Sequence, residues 1–114
     1  MRHDRLYLTD MVEAADDVSR FLEALDDEAF YEDDLRQSAV LQKLIVIGEA
    51  ASRVSPAVRD QFPEVEWPDI VAFRNIAVHA YFSVNWEIVW VTATQDVPRL
   101  RQRIAEILVN LQQE

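Results

Sequence analysis

A chain of 114 residues has room for one domain, and with no cysteine it excludes disulfides and thiolate chemistry. A single glycine, Gly48, excludes the Gly-rich loops that cradle phosphates or dinucleotides, so a helical architecture is expected. The formal net charge of -10 argues against a general nucleic-acid surface, and the two histidines, His3 and His79, offer no zinc constellation, although abundant carboxylates leave other metals open.

Leu8, Met11, Val12, Ala15, Val18, Leu22 and Leu25 recur at the spacing of one helical face, with Asp10, Glu13, Asp17, Arg20 and Glu23 on the other, which predicts a first helix. The acidic stretch Asp26 to Asp34 reads as a connector ending in N-cap candidates, its carboxylates placed where a helix dipole favours them. A second helix is expected over 34–54. Its apolar residues Leu41, Leu44, Ile45, Val46, Ile47, Ala50 and Ala51 cover more than one stripe, which predicts burial on two sides, with a second subunit as one source of the extra cover. Glycine inside a helix costs about 1 kcal/mol against alanine, so Gly48 marks either close approach of another backbone or a tolerated substitution.

Ser55-Pro56 and Phe62-Pro63 bracket a short turn or a single helical segment. Trp67-Pro68-Asp69 opens a third helix, Pro68 being suited to the first turn, with Ile70, Phe73 and Ala77 on one face and Val71, Arg74, Asn75 and Val78 on another. The chain is expected to break between Ala80 and Asn85, where Ser83 or Asn85 can cap a fourth helix over 85–112. Leu100, Ile104, Ile107, Leu108 and Leu111 give its second half a periodic stripe. Pro98 lacks an amide hydrogen and its ring meets the carbonyl of Thr94, which predicts a kink or a break.

Charge is distributed unevenly. Residues 1–34 carry 12 acidic and 3 basic side chains (net -9), leaving 9 and 8 (net -1) for residues 35–114. Arg99, Arg101 and Arg103 form a local basic cluster, for which a solvated helix face is the commoner role. No apolar run approaches the ~20 residues of a membrane span, and the start Met1-Arg2-His3-Asp4-Arg5 lacks a signal-peptide apolar region, so a soluble cytoplasmic protein is expected.

The segment Phe73-Arg74-Asn75-Ile76-Ala77-Val78-His79-Ala80-Tyr81 sets a guanidinium, an imidazole and a phenol into an apolar stretch, spaced Arg-x4-His-x-Tyr. Each has a commoner role alone: His79 bonding the last carbonyls of its helix, Arg74 in a surface ion pair with Asp69 or Glu66, Tyr81 at the edge of the core. Together they suit chemistry on a phosphodiester. An imidazole titrating near neutrality serves as base or acid, and a guanidinium supplies a planar fork of donors matched to phosphate. On an ideal helix Arg74 and His79 do not share a face, whereas Asn75 and His79 are four residues apart and do. A two-fold axis would converge two Arg and two His in one cleft.

This spacing resembles the HepT-like branch of the HEPN superfamily. The similarity extends through Ile47-Gly48-Glu49-Ala50-Ala51, Ser55-Pro56, Phe62-Pro63-Glu64, Trp67-Pro68-Asp69-Ile70, Tyr81-Phe82-Ser83-Val84 and Thr94-Gln95-Asp96-Val97-Pro98, covering residues 4–108. The resemblance implies an all-α, HEPN-type bundle of four to five helices with a short extra turn, a single domain over 1–114 that forms a homodimer. It further implies a metal-independent endoribonuclease without cofactor, the toxin of a type VII-like toxin-antitoxin pair, with Arg74 and His79 catalytic at a dimer cleft and Asn75 supporting them. The antitoxin of such pairs is a nucleotidyltransferase of the MntA type, which transfers AMP to the motif tyrosine, here Tyr81. One departure is Ala80, where relatives often carry the glycine that takes positive φ most cheaply. A reading from a different class is a non-catalytic helical module that docks the nucleotidyltransferase; the acidic surface, poor for RNA but adequate for protein contacts, favours it.

Overall fold

A computed structural model describes residues 2–78 and 84–113, and these form helices α1 (Arg2–Phe21), α2 (Asp27–Tyr31), α3 (Asp34–Arg53), α4 (Pro56–Gln61), α5 (Trp67–Val71), α6 (Phe73–Val78), α7 (Trp86–Val91), a π-helical turn (Thr92–Asp96) and α8 (Val97–Gln113). Among the described residues there is no strand, so the expected helical class holds. Counted as runs, α1, α3, α5 with α6, and α7 through α8 are the four principal members, with α2 and α4 as short additions.

The core is the meeting of three periodic stripes. Leu8, Met11, Ala15 and Val18 of α1 are buried, as are Val40, Leu44, Ile47 and Ala51 of α3, and Val97, Leu100, Ile104, Ile107 and Leu111 of α8. Burying such an aliphatic side chain contributes about 1.5–3 kcal/mol against leaving it in water, so these rows dominate the stability of the fold. Both long neighbours lie along α1. Asp17 of α1 pairs with Lys43 of α3 at 3.1 Å, and the buried Asp4 accepts from the Ser55 amide at 2.7 Å and the Ser55 hydroxyl at 2.8 Å, so α1 and α3 run antiparallel. The hydrogen bond from Lys43 holds the Asp17 carboxyl below its ordinary range. Arg5 donates to the Leu111 carbonyl at 2.9 Å while Arg101 reaches Asp16 at 3.0 Å, which makes α8 antiparallel to α1 as well.

The acidic connector is more structured than its composition indicates. Asp26 caps α2 by accepting from the Ala29 amide at 2.8 Å, and α2 buries Phe30 completely, its ring 6.0 Å from Trp86 and 5.5 Å from Trp90 of α7. The Gln37 side-chain amide donates to the carbonyls of Phe30 and Tyr31, closing the end of α2 onto α3. Asp33 caps α3, accepting from the Arg36 amide at 3.0 Å. The turn leaving α1 takes φ 66° at Ala24, so the one glycine of the chain is not spent on this left-handed position.

One expectation needs correction and another takes a specific form. The third helix is not continuous. It breaks at Ala72, whose ψ of -16° lies away from the helical value and whose carbonyl accepts from the Asn75 amide at 2.9 Å, three residues on. Nothing in alanine favours a break, so the cause is tertiary: here the backbone presses on Gly48 of α3. The fourth helix is interrupted just before Pro98, but by a widened turn and not by a full break. It passes through the π-helical turn, in which the Val97 amide reaches back to the Thr92 carbonyl and the Thr94 hydroxyl donates to the Trp90 carbonyl at 2.7 Å. The wider turn makes room for the proline ring, which then sits in the first turn of α8.

Much of the two-sided burial expected of α3 comes from within the chain, from α1 and from α5 with α6, while Leu41, Ile45 and Val46 stay partly exposed. Among the described residues no helix is long and apolar enough to cross a membrane.

Candidate active site

Of the residues singled out from the motif, Arg74 and Asn75 lie on α6, while His79, Tyr81, Ala80 and Ser83 lie outside the described residues. The i,i+4 relation of Asn75 to His79 and the turn at Ala80 are outside them too. Asn75 is exposed. Asn85, the other candidate cap, begins α7 by accepting from the amides of Glu87 at 3.0 Å and Ile88 at 3.3 Å.

Arg74 is set by α3. A methyl carbon placed on Gly48 would lie 2.8 Å from the Arg74 amide nitrogen, 3.1 Å from the Val71 carbonyl oxygen and 3.2 Å from Arg74 Cβ. Gly48 therefore marks a close helix–helix approach, the first of the two roles its position allowed. Its φ is not positive, so space and not backbone freedom is what it supplies. One residue on, Glu49 Oε1 accepts from Arg74 Nη1 at 3.2 Å, with the two side chains 47% and 40% exposed. Arg74 thus takes the surface ion pair that is the commoner role for an arginine alone, but with Glu49 in place of Asp69 or Glu66, because the glycine contact brings α6 onto α3. A half-exposed guanidinium bonded through one nitrogen keeps most of its donors available to an anion.

The basic cluster on α8 does not join this site. Arg101 pairs with Asp16 of α1, and Arg99 and Arg103 line a pocket of about 260 Å³ together with Glu64, Glu66, Asp69 and Asp96 over an apolar floor that includes Ile70 and Phe73. Arg74 is not part of that lining. Among the described residues no group of three or more His, Cys, Asp or Glu side chains is placed to hold a metal ion.

Glu49 was not anticipated as a site residue. Its separation of 25 positions from Arg74 hides the pair, although its place directly after the lone glycine was visible.

The geometry defines a helical domain that presents an arginine from a short helix braced on a longer one. A model of the family described as Ribonuclease HepT-like matches residues 11–107, and the chain belongs to that family. It is 32% identical over 103 residues to "Putative RNase MJ1380" of Methanocaldococcus jannaschii, covering 90% of this chain and 94% of that protein. It is 30% identical over 106 residues to "Probable ribonuclease HepT" of Thermococcus cleftensis, covering 93% and 96%. With "Putative RNase TTE0752" of Caldanaerobacter subterraneus it shares 29% over 108 residues, covering 95% and 96%. No solved structure matches the chain.

Proposed function

We propose that this HepT-like chain is a metal-independent endoribonuclease in which Arg74 and His79 carry the chemistry. The observation that carries the reading is the accessible Arg74 guanidinium, braced from one side by Glu49, in a chain of the ribonuclease family. In the proposed reaction a base removes the proton of an RNA 2′-hydroxyl and the 2′-oxygen attacks the adjacent phosphorus. The bond to the 5′-oxygen breaks, and an acid protonates the leaving oxygen. His79 serves as base or acid, and its counterpart is supplied by the second His79 of a homodimer cleft. Arg74 stabilises the charge that gathers on the phosphoryl oxygens. Asn75 supports the imidazole.

In the same reading the chain is the toxin of a toxin-antitoxin pair in the cytoplasm. A nucleotidyltransferase of the MntA type neutralises it: the Tyr81 hydroxyl attacks the α-phosphorus of ATP, pyrophosphate leaves and the phenolic proton passes to a base. The adduct places a bulky anion two residues from His79, where it blocks the cleft and repels RNA phosphates. A second reading, a non-catalytic module that docks such a transferase, is favoured by the net charge of -9 on residues 1–34.

The test is cleavage of RNA by the purified protein in EDTA. Arg74→Ala and His79→Ala are each expected to lower the rate about 100-fold or more with helicity unchanged. Wild-type rates in both variants would reject the catalytic assignment. A tight complex between an inert chain and the transferase would establish the docking module instead.

A further inference from the structure

We infer that Gly48 and Glu49 act as one positioning device for Arg74, the glycine fixing where its backbone sits and the glutamate fixing where its guanidinium sits; this rests on the nuclease reading proposed above.

Consider what each residue does apart from this role. Glycine is unfavourable inside a helix, and α3 is a 20-residue helix with a negative-φ glycine at its fifteenth place, so neither propensity nor conformation calls for it. What calls for it is the opposing surface. Two of the three atoms nearest its absent side chain are the Arg74 amide nitrogen and the Val71 carbonyl oxygen, which belong to the backbone and have no rotamer to retreat into. Any side chain at this position moves the start of α6, and Arg74 with it. The break at Ala72 falls between those same two atoms, so the glycine contact also sets where α5 ends and α6 begins.

Glu49 makes a half-exposed ion pair, the kind that contributes little to stability because water and salt screen it. Its geometry is more informative than its strength. The carboxylate meets Nη1 alone at 3.2 Å, so the edge formed by Nε and Nη2 keeps its donors without a protein partner among the described residues. That edge is the one suited to grip a phosphate with two parallel hydrogen bonds. A carboxylate gripping the same edge would compete with phosphate; one bonded end-on restrains a long, flexible side chain and leaves the edge open. Glu49 is thus a positioning residue that acts through Arg74, and its place beside Gly48 sets it within reach of the guanidinium.

The experiment measures RNA cleavage by the full chain and its variants. Glu49→Ala is expected to lower kcat about 10-fold with KM changed less than about 3-fold, since orientation and not net attraction is lost. Glu49→Gln, which keeps the acceptor oxygen and the length, is expected to recover most of the rate. Placed in Arg74→Ala, Glu49→Ala should have no further effect. A fall in KM at unchanged kcat would show that Glu49 shields Arg74 from substrate, and an equal loss in the Arg74→Ala background would show an independent role; either overturns the inference, as would wild-type kinetics for Glu49→Ala. Gly48→Ala is expected to lower kcat at least as far as Glu49→Ala does. If it fails to fold, the Glu49 variants decide alone. Should the wild-type chain not cleave RNA, the nuclease reading fails separately, and nitrogen relaxation of the Arg74 guanidinium then tests the device: a side chain restrained in the wild type and more mobile in Glu49→Ala supports it, and identical relaxation rejects it.

Discussion

The helices of this chain hold their places by two different means. α1, α3 and α8 run for 20, 20 and 17 residues and each buries a periodic apolar stripe, whereas α4, α5 and α6 are five or six residues long. Helices shorter than about 12 residues are marginal in water on their own, so the short ones depend on caps and on single contacts: Ser55 ahead of α4, the Trp67 indole donating to the Phe62 carbonyl at 3.1 Å, Gly48 beneath α6. The segment that carries Arg74 belongs to the dependent kind. Stability and the candidate chemistry are therefore carried by different parts of the chain, and a change can strike one without the other.

The sharpest way to break that separation is to damage the stripes. Ile104 on α8 is fully buried in the hydrophobic core, and Ile104→Ala is expected to cost about 2–5 kcal/mol by denaturant titration, lost in one cooperative transition. A cost below about 1 kcal/mol would mean that α8 is not part of the core. A smaller effect is expected where the rod of α7 and α8 begins. Asn85→Ala removes the cap that accepts from Glu87 and Ile88, and a loss of about 1 kcal/mol is expected, the same at pH 7 and pH 4 because the amide does not titrate. Unchanged unfolding would show that this end is held by packing alone.

The smallest effect appears only in acid. Hydrogen bonds from the Arg36 backbone and then its side chain hold the Asp33 carboxyl below its ordinary 3.8. A lowered folded pKa means that this contribution is complete above 3.8 and is lost as pH falls toward the folded value. Asp33→Asn keeps the capping oxygen without the charge, so its unfolding free energy should fall less than that of the wild type between pH 5 and pH 2. Parallel acid limbs would show that the cap carries no charge-dependent share.

The same division governs what could be read before any coordinates. Leu8 through Val18 and Leu100 through Leu111 announce their helices because burial of a stripe and helical period are one fact seen twice. Pro68, Asn85 and Gly48 were legible for a similar reason, since each is a residue type with few other uses at its place. The break at Ala72 was not, because alanine is the best helix former and only the pressure of α3 interrupts the run there. Phe30 looked like part of an acidic loop until Trp86 and Trp90 arrived from more than 50 positions away. Arg74 is legible from its motif, and so is its commoner role in a surface ion pair; which carboxylate fills that role is not, since sequence proximity favours Asp69 and Glu66 while the fold favours Glu49.

The π-helical turn at Thr92–Asp96 has a consequence for how chain length can vary here. Such a turn holds one residue more than an α-helix of equal span, so deleting a single residue within it would leave the stripe of α8 facing α1. The same deletion would return Pro98 to an ordinary helical environment, with its ring against a carbonyl one turn back. Loss of the extra residue and loss of the proline should therefore travel together, and a one-residue gap at this point in any aligned sequence is expected to coincide with a residue other than proline.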